Sequence, residues 1–217
     1  MRRDIIKRAI KLLVLVALLI TPSMTLASGQ TGAYITPKVM YGYIPGSDIG
    51  PVSFNGDSVF GVALAVGYDL SKQSGSGAPV RLEVEYALFS EAKIENTTYF
   101  GGLYLTGGAK TNTNTLFANA YYDLHTNSGF TPYVGLGLGV AFVDMKGYGY
   151  FFTGMKGSST NFAWNLSIGT NFSPAPSSPI SCDLGYRFVS LGDTPKFYGS
   201  SGNLYMHQLI FGLRYAF

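Results

Sequence analysis

Eight ionisable side chains interrupt stretches that are otherwise apolar, aromatic or rich in glycine: Lys38, Arg81, Glu83, Glu85, Asp123, Asp183, Arg187 and Arg214. Arg81, Glu83 and Glu85 stand at every second position of RLEVEYALF, with Leu82, Val84 and Tyr86 on the odd steps between and after them. In an extended chain that spacing puts the charges on one face and the apolar side chains on the other. Four of the eight are basic and four acidic. Two kinds of chemistry are open to such a set. One is a structural network in which ionic partners offset each other's desolvation; the other is a path for protons or ions along the polar face.

Other reactive types are sparse. The two histidines, His125 and His207, are the candidates for acid–base work, which also needs a nucleophile and an orienting group nearby. Two residues beyond His207 the same face carries Leu209, not serine, so a triad with Ser200 or Ser201 would have to be assembled by the fold. No Cys/His cluster offers a metal site, and Cys182, the only cysteine, excludes an intramolecular disulfide. Gly135, Gly137 and Gly139 have no helix after them and so form no phosphate loop; they read as small inward residues that let an interior pack. Neither a cofactor nor catalysis is expected.

Eight alternating segments position these residues: 33–43, 58–70, 80–89, 113–124, 131–143, 159–172, 180–189 and 207–217. Each sets large apolar side chains (Phe60, Val62, Leu64, Val66 and Tyr68 in the second) against small, polar or charged ones (Gly61, Ala63, Ala65 and Gly67). Pro37 is awkward in a central strand, because it has no amide to donate. Connections alternate long and short: 44–57, 90–112, 144–158 and 190–203 are long, while 71–79, 125–130 and 173–179 are shorter. The spacing predicts an all-β, eight-stranded, antiparallel, up-and-down transmembrane β-barrel. Its short turns and both chain ends lie on the periplasmic side, and its long loops outside.

Composition and targeting agree. Charged residues are 12% of the 217, against about 25% in ordinary soluble domains, while aromatics reach 15%. After residue 27 no apolar run approaches the roughly 20 residues of a membrane helix. Residues 1–27 read as a secretory signal peptide, with a basic start, an apolar run over 12–20 and a small-residue end at Thr25-Leu26-Ala27. That segment holds five of the 15 basic and one of the 12 acidic residues. Ten and eleven remain in 28–217, the expected barrel domain, and this near-neutral balance gives nucleic-acid binding no support.

The ending HQLIFGLRYAF alternates Leu209, Phe211, Leu213, Tyr215 and Phe217 on one face. It resembles the C-terminal signal of Gram-negative outer-membrane barrels, which implies recognition by the barrel-assembly machinery. With the run from Ala118 to Phe142 (ANAYYDLHTNSGFTPYVGLGLGVAF), RLEVEYALF and DLGYRF, the chain resembles the opacity-type, porin-like family of eight-stranded surface antigens. The resemblance implies an outer-membrane address, lipid around the barrel and contacts with host or environmental ligands through four outer loops. Tyr99, Phe100, Tyr104, Tyr148, Tyr150, Phe151, Phe152 and Tyr198 are the candidate loop contacts, with a membrane girdle or loop packing as their alternative roles. A surface antigen or adhesin-like barrel with a filled lumen is the leading expectation. A narrow porin or conduit for small or apolar solutes is the alternative, and a lipid-modifying enzyme a third.

Overall fold

The structure, a computed structural model, describes residues 32–49, 52–72, 78–100, 103–124, 126, 128–149, 154, 156–175, 178–193 and 202–217. The leader segment 1–27, His125, Tyr150, Phe151, Phe152 and Tyr198 lie outside them.

Eight long strands close a ring: β1 (Ala33–Ile44), β4 (Asp57–Asp69), β5 (Val80–Phe89), β7 (Leu103–Asp123), β8 (Phe130–Gly149), β9 (Lys156–Phe172), β10 (Ile180–Asp193) and β11 (Asn203–Ala216). Two short strands, β2 (Ser47–Ile49) and β3 (Val52–Phe54), form a separate hairpin, and β6 (Ala92–Phe100) extends β5 along the same partner. Around the ring the order is β5, β4, β1, β11, β10, β9, β8, β7, and the β5–β7 pairing closes it. All neighbours are antiparallel. Among the described residues no helix is long and apolar enough to cross a membrane.

The seam between first and last strand runs from Tyr34 opposite Ala216 to Tyr43 opposite His207. Its ladder passes from the pair Ile35–Tyr215 to Lys38–Gly212, over Thr36 and Pro37, where proline has no amide to give. On the β4 side the pairing is unbroken, Pro37 facing Leu64. Proline is thus accommodated in a ring strand at the cost of a gap in one ladder. At the chain end the Phe217 amide donates to the Ala33 carbonyl at 2.9 Å.

Alternation sorts the side chains as the sequence pattern predicts. Phe60, Phe162, Leu184 and Ile168 are about three-fifths or more exposed on the outer wall, while Arg81, Glu85, Phe117 and Arg187 are buried inside. The long connections differ from expectation. Segment 90–112 is largely strand, β6 and the start of β7 pairing from Ala92–Thr111 to Phe100–Leu103. Strand β8 runs to Gly149 through the expected loop 144–158, β9 starts at Lys156, β10 reaches Asp193, and β11 begins at Asn203. The hydrogen-bonded ladder does not stop where the apolar outer face stops. Beyond that point the outward positions are polar, as in Asn112, Asp144 and Ser158, while inward ones turn apolar, as in Val143, Met145 and Leu191. The medium outside has changed from lipid to water, so the same period of two carries the opposite polarity.

Candidate functional site: the filled lumen and the outer rim

The lumen is built in layers. At the end that carries the short connections Arg81 of β5 makes a fork to Asp123 of β7, Nε to Oδ2 at 2.6 Å and Nη2 to Oδ1 at 2.9 Å. Its guanidinium lies 4.8 Å from the Tyr121 ring centroid and 5.1 Å from that of Tyr133. On the other wall Asp183 accepts from Tyr133 Oη at 2.6 Å and from Arg214 Nη2 at 2.9 Å. Arg214 in turn lies over Tyr34.

The next layer joins opposite walls. Lys38 Nζ donates to Glu83 and, at 2.6 Å, to Glu85 Oε2. Arg187 Nη1 reaches Glu85 Oε1 at 2.5 Å and Nη2 reaches Oε2 at 3.1 Å, while Nη2 also donates to Tyr121 Oη at 3.1 Å. Strands β5 and β10 stand four places apart in the ring of eight, so this contact spans the barrel's full width. All eight charges named from the sequence are therefore inside and ion-paired, four positive with four negative. Such charges are held because each has a partner; removing one partner strands the other in a poorly solvated interior.

Above the charges Asn165 Nδ2 donates to Asn119 Oδ1 at 3.0 Å. Gly137 makes room for this bond, since a Cβ there would fall 2.1 Å from both Asn119 Oδ1 and Asn165 Nδ2. Gly135 and Gly139 leave corresponding space for Tyr121 and Phe117. Higher still lies an apolar plug that includes Val59, Phe89, Val143, Met145, Leu191 and Met206. Sequence reasoning missed most of it, because these residues lie at strand ends or in segments taken for loops. The available signal was apolar residues persisting on the inward face of 143–145 and 189–191.

His207 sits on the outer wall, where its Nδ1 is 2.7 Å from Tyr186 Oη. Phe188 packs edge-on at 5.4 Å, and Tyr205 and Trp164 continue the patch on either side of Phe188. Its surroundings are those of an interfacial aromatic cluster. Tyr215 and Phe217 meet edge to face at 5.2 Å at the opposite end, with Leu209, Phe211 and Leu213 exposed on the wall between.

At the rim Tyr148 Oη donates to Glu95 at 2.7 Å across the intervening strand β7. Burial and that carboxylate together push the Tyr148 phenol above the ordinary tyrosine range. Tyr99 and Phe100 belong to β6, Tyr104 to β7 and Tyr148 to β8, so four expected loop contacts are strand residues, Tyr99 opposite Tyr104. No group of His, Cys, Asp and Glu able to hold a metal occurs among the described residues.

Residues 12–217 match the family described as outer membrane protein beta-barrel domain. The chain belongs to that family. It is 28% identical over 180 residues to the outer membrane protein PagN of Salmonella typhimurium, the match covering 73% of each chain. Its fold is similar to the crystal structure of Neisserial surface protein A, with TM-score 0.57 and 18% identity, over 86% of this chain and 97% of that one. The protein is accordingly an eight-stranded barrel of the bacterial outer membrane, and the exposed apolar wall is its lipid-facing surface.

Proposed function

We propose that this outer-membrane barrel is a closed surface protein, an antigen or adhesin-like scaffold that presents four extracellular connections to host or environment. The observation that carries this reading is the contact of Arg187 with Glu85 across the full width of the lumen, beneath an apolar plug. An eight-stranded barrel is narrow enough for side chains to fill it. The lumen layers occupy that width with paired charges below, an asparagine pair between and hydrocarbon above, an arrangement unsuited to passing a hydrated ion. On this reading export uses a leader cleaved after residue 27, and the alternation of Leu209, Phe211, Leu213, Tyr215 and Phe217 addresses the chain to the assembly machinery. The tall strand ends and their aromatic residues supply the contact surface.

Single-channel recording on the purified barrel in planar bilayers tests the closed lumen. No discrete conductance steps are expected. Stable ohmic steps would favour the narrow-porin reading instead. The surface role is tested by adherence to host cells or abiotic surfaces of bacteria that display the barrel with and without the β6–β7 extension. Equal adherence by the shortened form would remove the adhesin role.

A further inference from the structure

The seam between β1 and β11 is interrupted within the lipid-facing wall. At the chain end the Phe217 amide donates to the Ala33 carbonyl. Hydrogen-bonded pairs recur at every second residue of an antiparallel ladder, so the next are Ile35 with Tyr215 and Pro37 with Leu213. On the other side of β1 the Asp69 amide donates to the Gly32 carbonyl, which puts the even-numbered residues in bonded pairs with β4. The backbone nitrogen of Pro37 therefore faces the Leu213 carbonyl, and it has no hydrogen to give. The register accordingly omits Thr36 and Pro37. Leu213 is half exposed on the outer wall, between Phe211 and Tyr215. Lipid offers a carbonyl nothing there, and backbone groups at that depth must be satisfied from within the protein.

Two buried polar atoms stand on the inner side of the same rung. The register that sets Ile35 opposite Tyr215 and Lys38 opposite Gly212 sets Thr36 opposite Arg214. Neither Thr36 Oγ1 nor Arg214 Nε has a hydrogen-bond partner among the described residues. The rest of the Arg214 head is committed, with Nη2 on Asp183 Oδ2 at 2.9 Å and the guanidinium 4.8 Å from the Tyr34 ring centroid. A Cβ at Gly212 would meet the Thr36 methyl at 2.9 Å, so the methyl and not the hydroxyl faces that way. A carbonyl acceptor, an N–H donor and a hydroxyl thus converge on one rung. Buried waters make about three hydrogen bonds, to groups that would otherwise lack them. We propose that an internal water binds here and completes the seam, accepting from Arg214 Nε and donating to Thr36 Oγ1 and the Leu213 carbonyl. The last strand is then tied to the first by solvent at the rung where the backbone cannot do it.

Such a water depends neither on conductance nor on the surface role. Solution NMR of the barrel in phosphatidylcholine nanodiscs tests it, reading cross-relaxation between protein protons and water. Rotating-frame spectra separate a bound water from proton exchange. The wild-type barrel should show a water contact at the Arg214 Nε proton and at the Thr36 methyl. Thr36→Val keeps the shape and removes the hydroxyl, so the Arg214 contact should be lost, while Thr36→Ser should keep it. Pro37→Val returns an amide to the Leu213 carbonyl, and there too the contact should be lost. Heat-modifiable gel mobility confirms that each variant is folded. A wild-type barrel without the Arg214 contact overturns the proposal. So does a contact that survives Thr36→Val or Pro37→Val, which would assign it to solvent moving freely in the lumen.

Discussion

Glu85 and Arg187, 102 positions apart in the chain, meet at 2.5 Å in the centre of the barrel and tie its opposite walls together. Glu85 also accepts from Lys38, so one carboxylate holds two buried cations.

Glu85→Gln strips Arg187 of its carboxylate and leaves Lys38 with Glu83 alone, and should cost about 3–5 kcal/mol. Urea unfolding of the barrel in lipid vesicles would measure it. Glu85→Leu combined with Arg187→Leu should recover much of the loss, because Lys38 keeps Glu83 and no charge is stranded. A single variant as stable as wild type would mean that water enters the lumen freely.

Leu138 is half exposed on the outer wall of β8, opposite Ala118 and Trp164 on the flanking strands. Leu138→Arg, near mid-membrane, should cost about 2–4 kcal/mol in refolding equilibria. Gly137→Ala, one residue away, should destabilise by a different route, pressing a methyl group onto the Asn119–Asn165 bond. Unchanged stability of Leu138→Arg in lipid would contradict the assigned face.

Phe217 joins the seam through its backbone amide, a contact that substitution of its side chain leaves in place. Phe217→Ala should therefore lower in-vitro stability only by about 1–2 kcal/mol, from lost apolar contact. Surface abundance in cells should fall much further, because the terminal aromatic is also the proposed assembly signal. Normal abundance of the mutant would confine the residue to packing.

Topology is open to a tag experiment. An epitope inserted at residues 101–102, between β6 and β7, should be reached by antibody on intact cells. One inserted at Gly75, in the short connection after β4, should be reached only once the outer membrane is opened. Labelling of the Gly75 epitope on intact cells would invert the barrel.

The membrane-embedded part of this fold was legible because one repeat, apolar residues at every second position, meets one medium. Phe60 to Tyr68 and Leu209 to Tyr215 betray their outer face at sight, and the charges at Arg81, Glu83 and Glu85 betray the inner one. The proximity of Asp183 to Arg214 is a consequence of a short turn between adjacent strands, Asp183 standing opposite Gly212 and Arg214 opposite Ser181. What sequence could not supply was distance across the ring, because nothing local links Glu85 to Arg187. Above the membrane the signal changed sign. In the segments 143–146 and 189–193 the apolar side chains turn inward and the polar ones outward, so a search for apolar outer faces took paired strands for loops.

The rim contact of Tyr148 with Glu95 has a consequence for recognition by antibodies. The two are neighbours across β7 but come from positions 148 and 95, so no single peptide reproduces the surface they form. Sera raised against intact cells that recognise this rim would lose it when the barrel is boiled open in detergent. An immunogen meant to elicit them would have to be delivered folded.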